Sequence, residues 1–158
     1  MKTLSGKLDA GGLRIAILVS RYHELVTTRL VAGARSALSK HGAVEDQLVE
    51  VSVPGAWELP LASKALAESG RYDAIVCLGC VIRGDTTHHE HVGGQAAAGL
   101  AKVALECGVP IGLGLLTTDN LEQAIERAGG KAGDKGAEAA MAAVEMANLI
   151  RDVKGHAR

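Results

Sequence analysis

Four short apolar runs, each followed by a segment with apolar residues at helical spacing, constrain this chain more than anything else in it. Leu13 to Ser20 (LRIAILVS) is mostly β-branched and aliphatic and reads as a buried strand. Glu24 to His41 follows with Leu25, Val31, Ala34 and Leu38 at helical spacing and Gly42 as a stop. Gln47 to Val53 predicts a second strand, ended by Pro54-Gly55, and Glu58 to Ser69 a second helix before Gly70. Ala74 to Ile82 is the third strand, with its helix from about His88 to Cys107, and Val109 to Leu116 is the fourth. Asp119, with Glu122 three residues on, has the spacing of a capped helix start. After Gly129-Gly130 a last Ala-rich helix covers Asp134 to Val153. The order βαβαβαβαα demands an α/β fold: a four-stranded parallel sheet with helices on both faces.

Sheets of this kind bind ligands beyond the carboxyl ends of their strands. Four segments fall there: Arg21-Tyr22-His23, Pro54 to Glu58, Arg83 to His88, and Thr117-Thr118. The third is the richest. Arg83-Gly84-Asp85-Thr86 is a tight polar turn, and Thr87 to Glu90 has the S/T-x-x-E form of a helix start, with Thr87 as cap. A helix N-terminus after a Gly-containing turn directs unpaired N–H groups at one spot suited to phosphate. His88 stands beside it, where the helix dipole disfavours the imidazolium and leaves the ring available as a proton acceptor. The expectation is an enzyme.

Composition removes other classes. A net charge of −1 gives no argument for nucleic acid or an anionic membrane surface. The longest apolar runs, about nine residues, fall short of the roughly 20 of a membrane helix. MKTLSGKLDAGG lacks the apolar middle of a signal peptide, and three cysteines fit a reducing cytosol better than a disulfide framework, so a cytoplasmic protein is expected. With no Phe, the core must be built from Ala, Val, Leu and Ile, which favours close helix packing.

Each candidate motif has a plainer rival. His88 and His91 lie one turn apart, but no third ligand is evident, so no metal is expected; His89 and His91 read as solvated or packing residues. Cys77 and Cys80 have redox-motif spacing, yet inside a strand an odd offset sends them to opposite faces, as core filler. Trp57 and Tyr22 are either core aromatics or walls of a pocket for a flat heterocycle whose donor groups Glu58 reads. Arg127 and Lys135 flank the Gly-rich turn either as a cationic helix end or as a phosphate clamp.

Together these residues resemble the lumazine synthase family. The motifs are SRYHELVT (Ser20–Thr27), VPGAWELP (Val53–Pro60), GCVIRGDTTHHEHV (Gly79–Val92) and LTTDNLEQAIERAGGKAGDKG (Leu116–Gly136), and the likeness runs from about Leu13 to Ile150. The resemblance implies a flavodoxin-like three-layer αβα fold in one domain. It implies condensation of 5-amino-6-(D-ribitylamino)uracil with 3,4-dihydroxy-2-butanone 4-phosphate. The products are 6,7-dimethyl-8-ribityllumazine, phosphate and water, formed without metal or organic cofactor. On the same likeness Tyr22 stacks on the pyrimidine, Ala56, Trp57 and Glu58 hold the ribityl chain, and the backbone of Cys80, Val81 and Ile82 reads the ring. Asp85 and Thr86 bind the phosphate with Arg127, His88 moves protons, and Lys135 lies near the same pocket.

Some positions depart from the family pattern. Tyr22 stands where Phe or Trp is usual, Leu113 replaces a common Phe of the ring pocket, His23 replaces a common Asn, and Asp85 occupies a position where a small residue is common. These departures motivate an alternative, a flavin- or lumazine-binding or shell-forming homologue without catalysis; another is a different phosphosugar enzyme on a similar sheet. The family assembles as pentamers with active sites at subunit interfaces, so Leu113, Arg127 and Lys135 would come from a neighbouring chain. The GGKAGDKG connection, without insertion, is similar to members that build 60-subunit shells, and riboflavin synthase is an expected partner. In shell-forming members a neighbour's sheet can take up a segment such as the first twelve residues here, which would fray in a free subunit.

Overall fold

The computed structural model describes residues 1–155. Its main sheet comprises β1 (Ile15–Ser20), β2 (Leu48–Val53), β3 (Ala74–Ile82) and β4 (Ile111–Thr118), all parallel, in the order β2-β1-β3-β4. The crossovers are α1 (Glu24–Lys40), α2 (Leu59–Glu68) and α3 (His88–Cys107). After β4 come α4 (Leu121–Arg127), a two-stranded antiparallel hairpin of β5 (Ala128–Gly130) and β6 (Gly133–Asp134), and α5 (Lys135–Val153). The expected α/β architecture is the observed one, a flavodoxin-like arrangement with helices on both faces.

The period of two along the central strands sorts the core into two layers. Ile15, Ile17 and Val19 of β1 join Val76 and Leu78 of β3 under α1 and α5, with Leu30, Leu38 and Val144. Ala16 and Leu18 join Ile75 and Cys77 under α2 and α3, with Leu59, Leu100 and Val103. Cys77 and Cys80 fall in opposite layers, as their odd offset requires.

A core without Phe brings helix and sheet unusually close. α5 meets the sheet through Ala139 and Ala143, and a β-carbon on Gly112 of β4 would collide with the Ala139 carbonyl oxygen. The leading segment runs against the far side of α5, where the buried Asn148 amide donates to the carbonyls of Lys7 (2.7 Å) and Asp9 (2.9 Å).

Three local expectations are corrected. α4 is capped by Asn120, not Asp119: Asn120 is extended, and its Oδ1 accepts from the Gln123 N–H at 2.8 Å. Asp119 donates its N–H to Gln123 Oε1 instead (2.9 Å). At α3 the Thr87 hydroxyl makes no cap; Thr86 Oγ1 accepts from the His88 N–H at 3.3 Å. Thr117 and Thr118 are not loop but the last residues of β4, in register with Val81 and Ile82. Both are β-branched and suit a pleated edge despite their hydroxyls.

Candidate active site

The carboxyl edge of the sheet opens into a cavity of about 620 Å³. The β1–α1 connection contributes Tyr22 and His23, and the β2–α2 connection Gly55 to Glu58. The end of β3 contributes Cys80 to Ile82, and the turn into α3 adds Gly84, Thr86, His88, His89 and His91. Each segment leaves the sheet at the same edge because parallel strands all end there.

Local geometry fixes these side chains in turn. His23 is the only non-glycine described residue at positive φ (62°, with ψ 54°), and from there its carbonyl accepts the N–H groups of Val26 (2.9 Å) and Thr27 (3.0 Å). That kink starts α1 and leaves Tyr22 beside it 68% exposed; backbone outliers of this kind gather at functional sites. Across the gap a short 3₁₀ turn, Ala56–Glu58, precedes α2. Glu58 Oε2 accepts the Gly55 N–H at 2.9 Å, which braces the turn and holds Trp57 outward, 63% exposed. One carboxylate oxygen is therefore occupied by the backbone, a structural duty that the sequence reading did not give Glu58.

The floor is the end of β3. Cys80 and Val81 are buried, and burial pushes the Cys80 thiol up to about 11. Cys77, deeper in the same strand, is raised further by the same desolvation. Both thiols stay protonated at neutral pH and serve as small apolar filler rather than nucleophiles.

The lip is the polar turn. Arg83 donates its N–H to the Thr118 carbonyl (2.8 Å), tying the turn to the end of β4, and its guanidinium pairs loosely with Asp119 at 3.9 Å. Beyond it Gly84, Asp85, Thr86 and Thr87 are exposed, and His88 stands exposed in the first turn of α3. The helix is long, His88–Cys107, and of its first amide groups those of His88 and Glu90 are already bonded, to Thr86 Oγ1 and to the Thr87 carbonyl (3.0 Å). Among the described residues no group of three or more His, Cys, Asp or Glu side chains is gathered to hold a metal ion.

Of the residues expected from sequence, Tyr22, Ala56, Trp57, Glu58, Cys80, Val81, Ile82, Thr86 and His88 line this one cavity. Asp85 lies exposed in the lip without lining it. Leu113, Arg127 and Lys135 are elsewhere on the chain. Leu113, 52% exposed on β4, borders a shallow depression of about 140 Å³ with Ala97, Leu100 and Ala104. Arg127 donates from Nη1 to the Gln123 carbonyl (3.0 Å), and Lys135 pairs with Glu138 at 3.2 Å. His89, read as solvated or packing, is also in the cavity; it belongs to the inward stripe His89, Gly93, Ala96, Leu100, Val103, and that helical spacing was its only sequence signal.

An open parallel sheet with a cavity of this size at its carboxyl edge is the build of an α/β enzyme acting on small molecules. Residues 12–151 match the family described as 6,7-dimethyl-8-ribityllumazine synthase. A 6,7-dimethyl-8-ribityllumazine synthase of Clostridium kluyveri is 51% identical over 154 residues, covering 98% of this chain and 100% of its own length. One from Nitratidesulfovibrio vulgaris is 52% identical over 153 residues, covering 97% of this chain and 98% of its own. The chain belongs to the 6,7-dimethyl-8-ribityllumazine synthase family and is a transferase of riboflavin biosynthesis.

Proposed function

We propose that the cavity at the carboxyl edge is where the family's reaction takes place in this chain. There 5-amino-6-(D-ribitylamino)uracil is condensed with 3,4-dihydroxy-2-butanone 4-phosphate to 6,7-dimethyl-8-ribityllumazine, phosphate and water. The observation that carries this reading is the meeting of Tyr22, Trp57, the buried end of β3 and the exposed His88 around one space of about 620 Å³.

The geometry suggests how the work is divided. Tyr22 offers a ring face for the pyrimidine, and Ala56, Trp57 and Glu58 form the wall against which the ribityl chain lies. Backbone groups of Cys80, Val81 and Ile82 read the edge of the ring. Asp85 and Thr86 belong to the turn that receives the phosphate, with its charge met by the helix start. Schiff-base formation, loss of phosphate and ring closure each need a proton moved at one carbon–nitrogen framework, and His88 is the imidazole at hand. Holding both substrates in register supplies much of the remaining rate.

Leu113, Arg127 and Lys135 fit this scheme as contributions from a neighbouring copy: a second apolar wall, a phosphate-binding guanidinium and a cation near the same pocket. The exposed leucines Leu61 (77%), Leu105 (86%) and Leu113 support burial of this surface in an assembly. We place the chain, a single domain over its whole length, in a homopentamer with interfacial sites, and weigh a 60-subunit shell as its larger form. Free cysteines at positions 77, 80 and 107 suit a reducing cytoplasm, and riboflavin synthase is the partner that consumes the product.

Lumazine formation followed optically for the wild type and His88→Ala tests the reading. A fall of about 10² in kcat, at the low end of general acid–base contributions, is expected with both KM values little changed. Undiminished turnover would remove His88 from the chemistry, and no turnover in either protein would remove the reaction from this cavity.

A further inference from the structure

The lining residues divide into an exposed rim and a buried floor. Tyr22, His23, Trp57, Thr86, His88 and His91 are exposed, whereas Gly55, Ala56, Cys80, Val81 and His89 are buried. His89 is the only one of the floor residues whose side chain carries nitrogen or oxygen. It is 8% exposed, and its Nδ1 is sealed from solvent with no hydrogen-bond partner, which leaves Nε2 as the ring nitrogen available to the cavity.

An apolar side chain would serve packing at this position better. The rest of the inward stripe of α3 is Gly93, Ala96, Leu100 and Val103, and a buried polar atom left unpaired costs on the order of 1–3 kcal/mol. Such atoms are rare in folded proteins and mark a functional demand where they persist. The demand here has an obvious source. A polyhydroxylated substrate resting on this floor would meet one polar side chain besides the backbone at the end of β3, and that side chain would fix how deeply and in which direction it lies.

We propose that His89 is a substrate-binding residue of this site, one that hydrogen-bonds the ribitylaminouracil substrate from the cavity floor and sets its orientation relative to His88. The proposal rests on the reading of the cavity as the active site. It concerns the larger substrate, because the phosphate-ready helix start is at the lip and the floor lies under the end of β3.

The test compares His89→Phe, which keeps a ring of similar size without nitrogen, with His89→Gln, whose amide reaches toward the place of Nε2. For His89→Phe a rise of about tenfold in KM for the ribitylaminouracil is expected, the loss of one hydrogen bond, with KM for the butanone phosphate and kcat within about twofold. His89→Gln should recover most of that loss at an unchanged Tm. Wild-type KM values in His89→Phe would overturn the proposal, as would equal rises in both KM values for both variants, the mark of a packing role. Should His89→Phe fail to fold, His89→Leu takes its place beside His89→Gln: a rise of about tenfold in KM for the ribitylaminouracil in His89→Leu that His89→Gln largely avoids supports the contact, and wild-type KM values in His89→Leu overturn it. Tyr22→Ala and His88→Ala serve as controls. If they too leave every kinetic constant unchanged, the active-site reading itself has failed, a result distinct from a silent His89→Phe beside impaired controls.

Discussion

The ring of Tyr22 lies against the backbone of Gly55, so close that a β-carbon at position 55 would stand 2.7 Å from Tyr22 Cδ2 and 2.8 Å from Cε2. Two connections that leave different strands are thereby locked to one another across the mouth of the cavity. The same Gly55 donates its N–H to Glu58, so the ring, the turn and Trp57 form one unit. A side chain at position 55 must push the ring out of its place, and Tyr22, exposed to solvent, moves outward to make room.

Gly55→Ala should therefore impair the enzyme without unfolding it. KM for the ribitylaminouracil is expected to rise about tenfold, comparable to the worth of one aromatic contact, with Tm within a few degrees of wild type. Tyr22→Ala should reproduce the effect and Tyr22→Phe should not. Steady-state kinetics on the three variants decide it, and a normal KM for Gly55→Ala would show the ring free to move aside.

Gly112→Ala should act on stability instead. Its β-carbon meets the Ala139 carbonyl, a backbone atom of α5 that cannot rotate away, so helix and sheet must separate. A loss of about 3 kcal/mol is expected, the upper end of ordinary overpacking, and with it a fall in Tm of roughly 10 °C. Calorimetry reads this directly; a Tm unchanged within 2 °C or so would mean the layers have more slack than their contact implies.

Sequence reasoning reached the sheet, its helices and most of the cavity, and its misses have physical causes. Continuous aliphatic runs such as Ala74–Ile82 and helical stripes such as His89–Val103 carry their own periodicity, and the strand-end rule then collects Tyr22, Trp57 and His88 without further information, while Cys80 entered through family likeness. The α4 cap was missed because Asp119 and Asn120 are adjacent and equally able to cap; the backbone path out of β4 chooses between them. The β5–β6 hairpin was missed because strands of three and two residues, rich in Gly, have no period to read. His89 was read as solvated or packing, and its place in the cavity was not legible because a core stripe and a cavity wall have the same spacing on a helix. Leu113 entered through family likeness alone, and Arg127 and Lys135 also through their place beside the Gly-rich turn, where periodicity says nothing of what they face.

The thiols give a prediction about pH. Burial raises Cys80 to about 11 and Cys77 further, so the folded chain keeps protons that an unfolded chain releases above about 9. Their contribution to stability is complete below pH 9 and is lost as the pH rises through 11. Unfolding midpoints in urea should fall over that window, and less so in Cys77→Ala/Cys80→Ala measured against its own neutral-pH value. A thiol reagent at pH 8 should modify at most the half-buried Cys107 in the native protein and all three thiols in denaturant. Two or more fast-reacting native thiols would contradict the burial.

The separation of Arg127 and Lys135 from the cavity of their own chain yields the sharpest test of the interfacial site. Within one chain Arg127 is held to the Gln123 carbonyl and Lys135 to Glu138, and neither lines the space that His88 faces. In a closed ring built from head-to-tail contacts, every site would take His88 from one copy and Arg127 from the next. His88→Ala and Arg127→Ala, each impaired alone, should then complement when denatured together and refolded. In a random equal mixture, about a quarter of the sites would combine an intact His88 with an intact Arg127 from the neighbour, and about a quarter of wild-type activity should return. Mixing without refolding should restore nothing where assembled rings hold their subunits through the assay. If co-refolded protein stays at the level of the two single variants, both residues serve one chain's site and the interfacial arrangement is wrong.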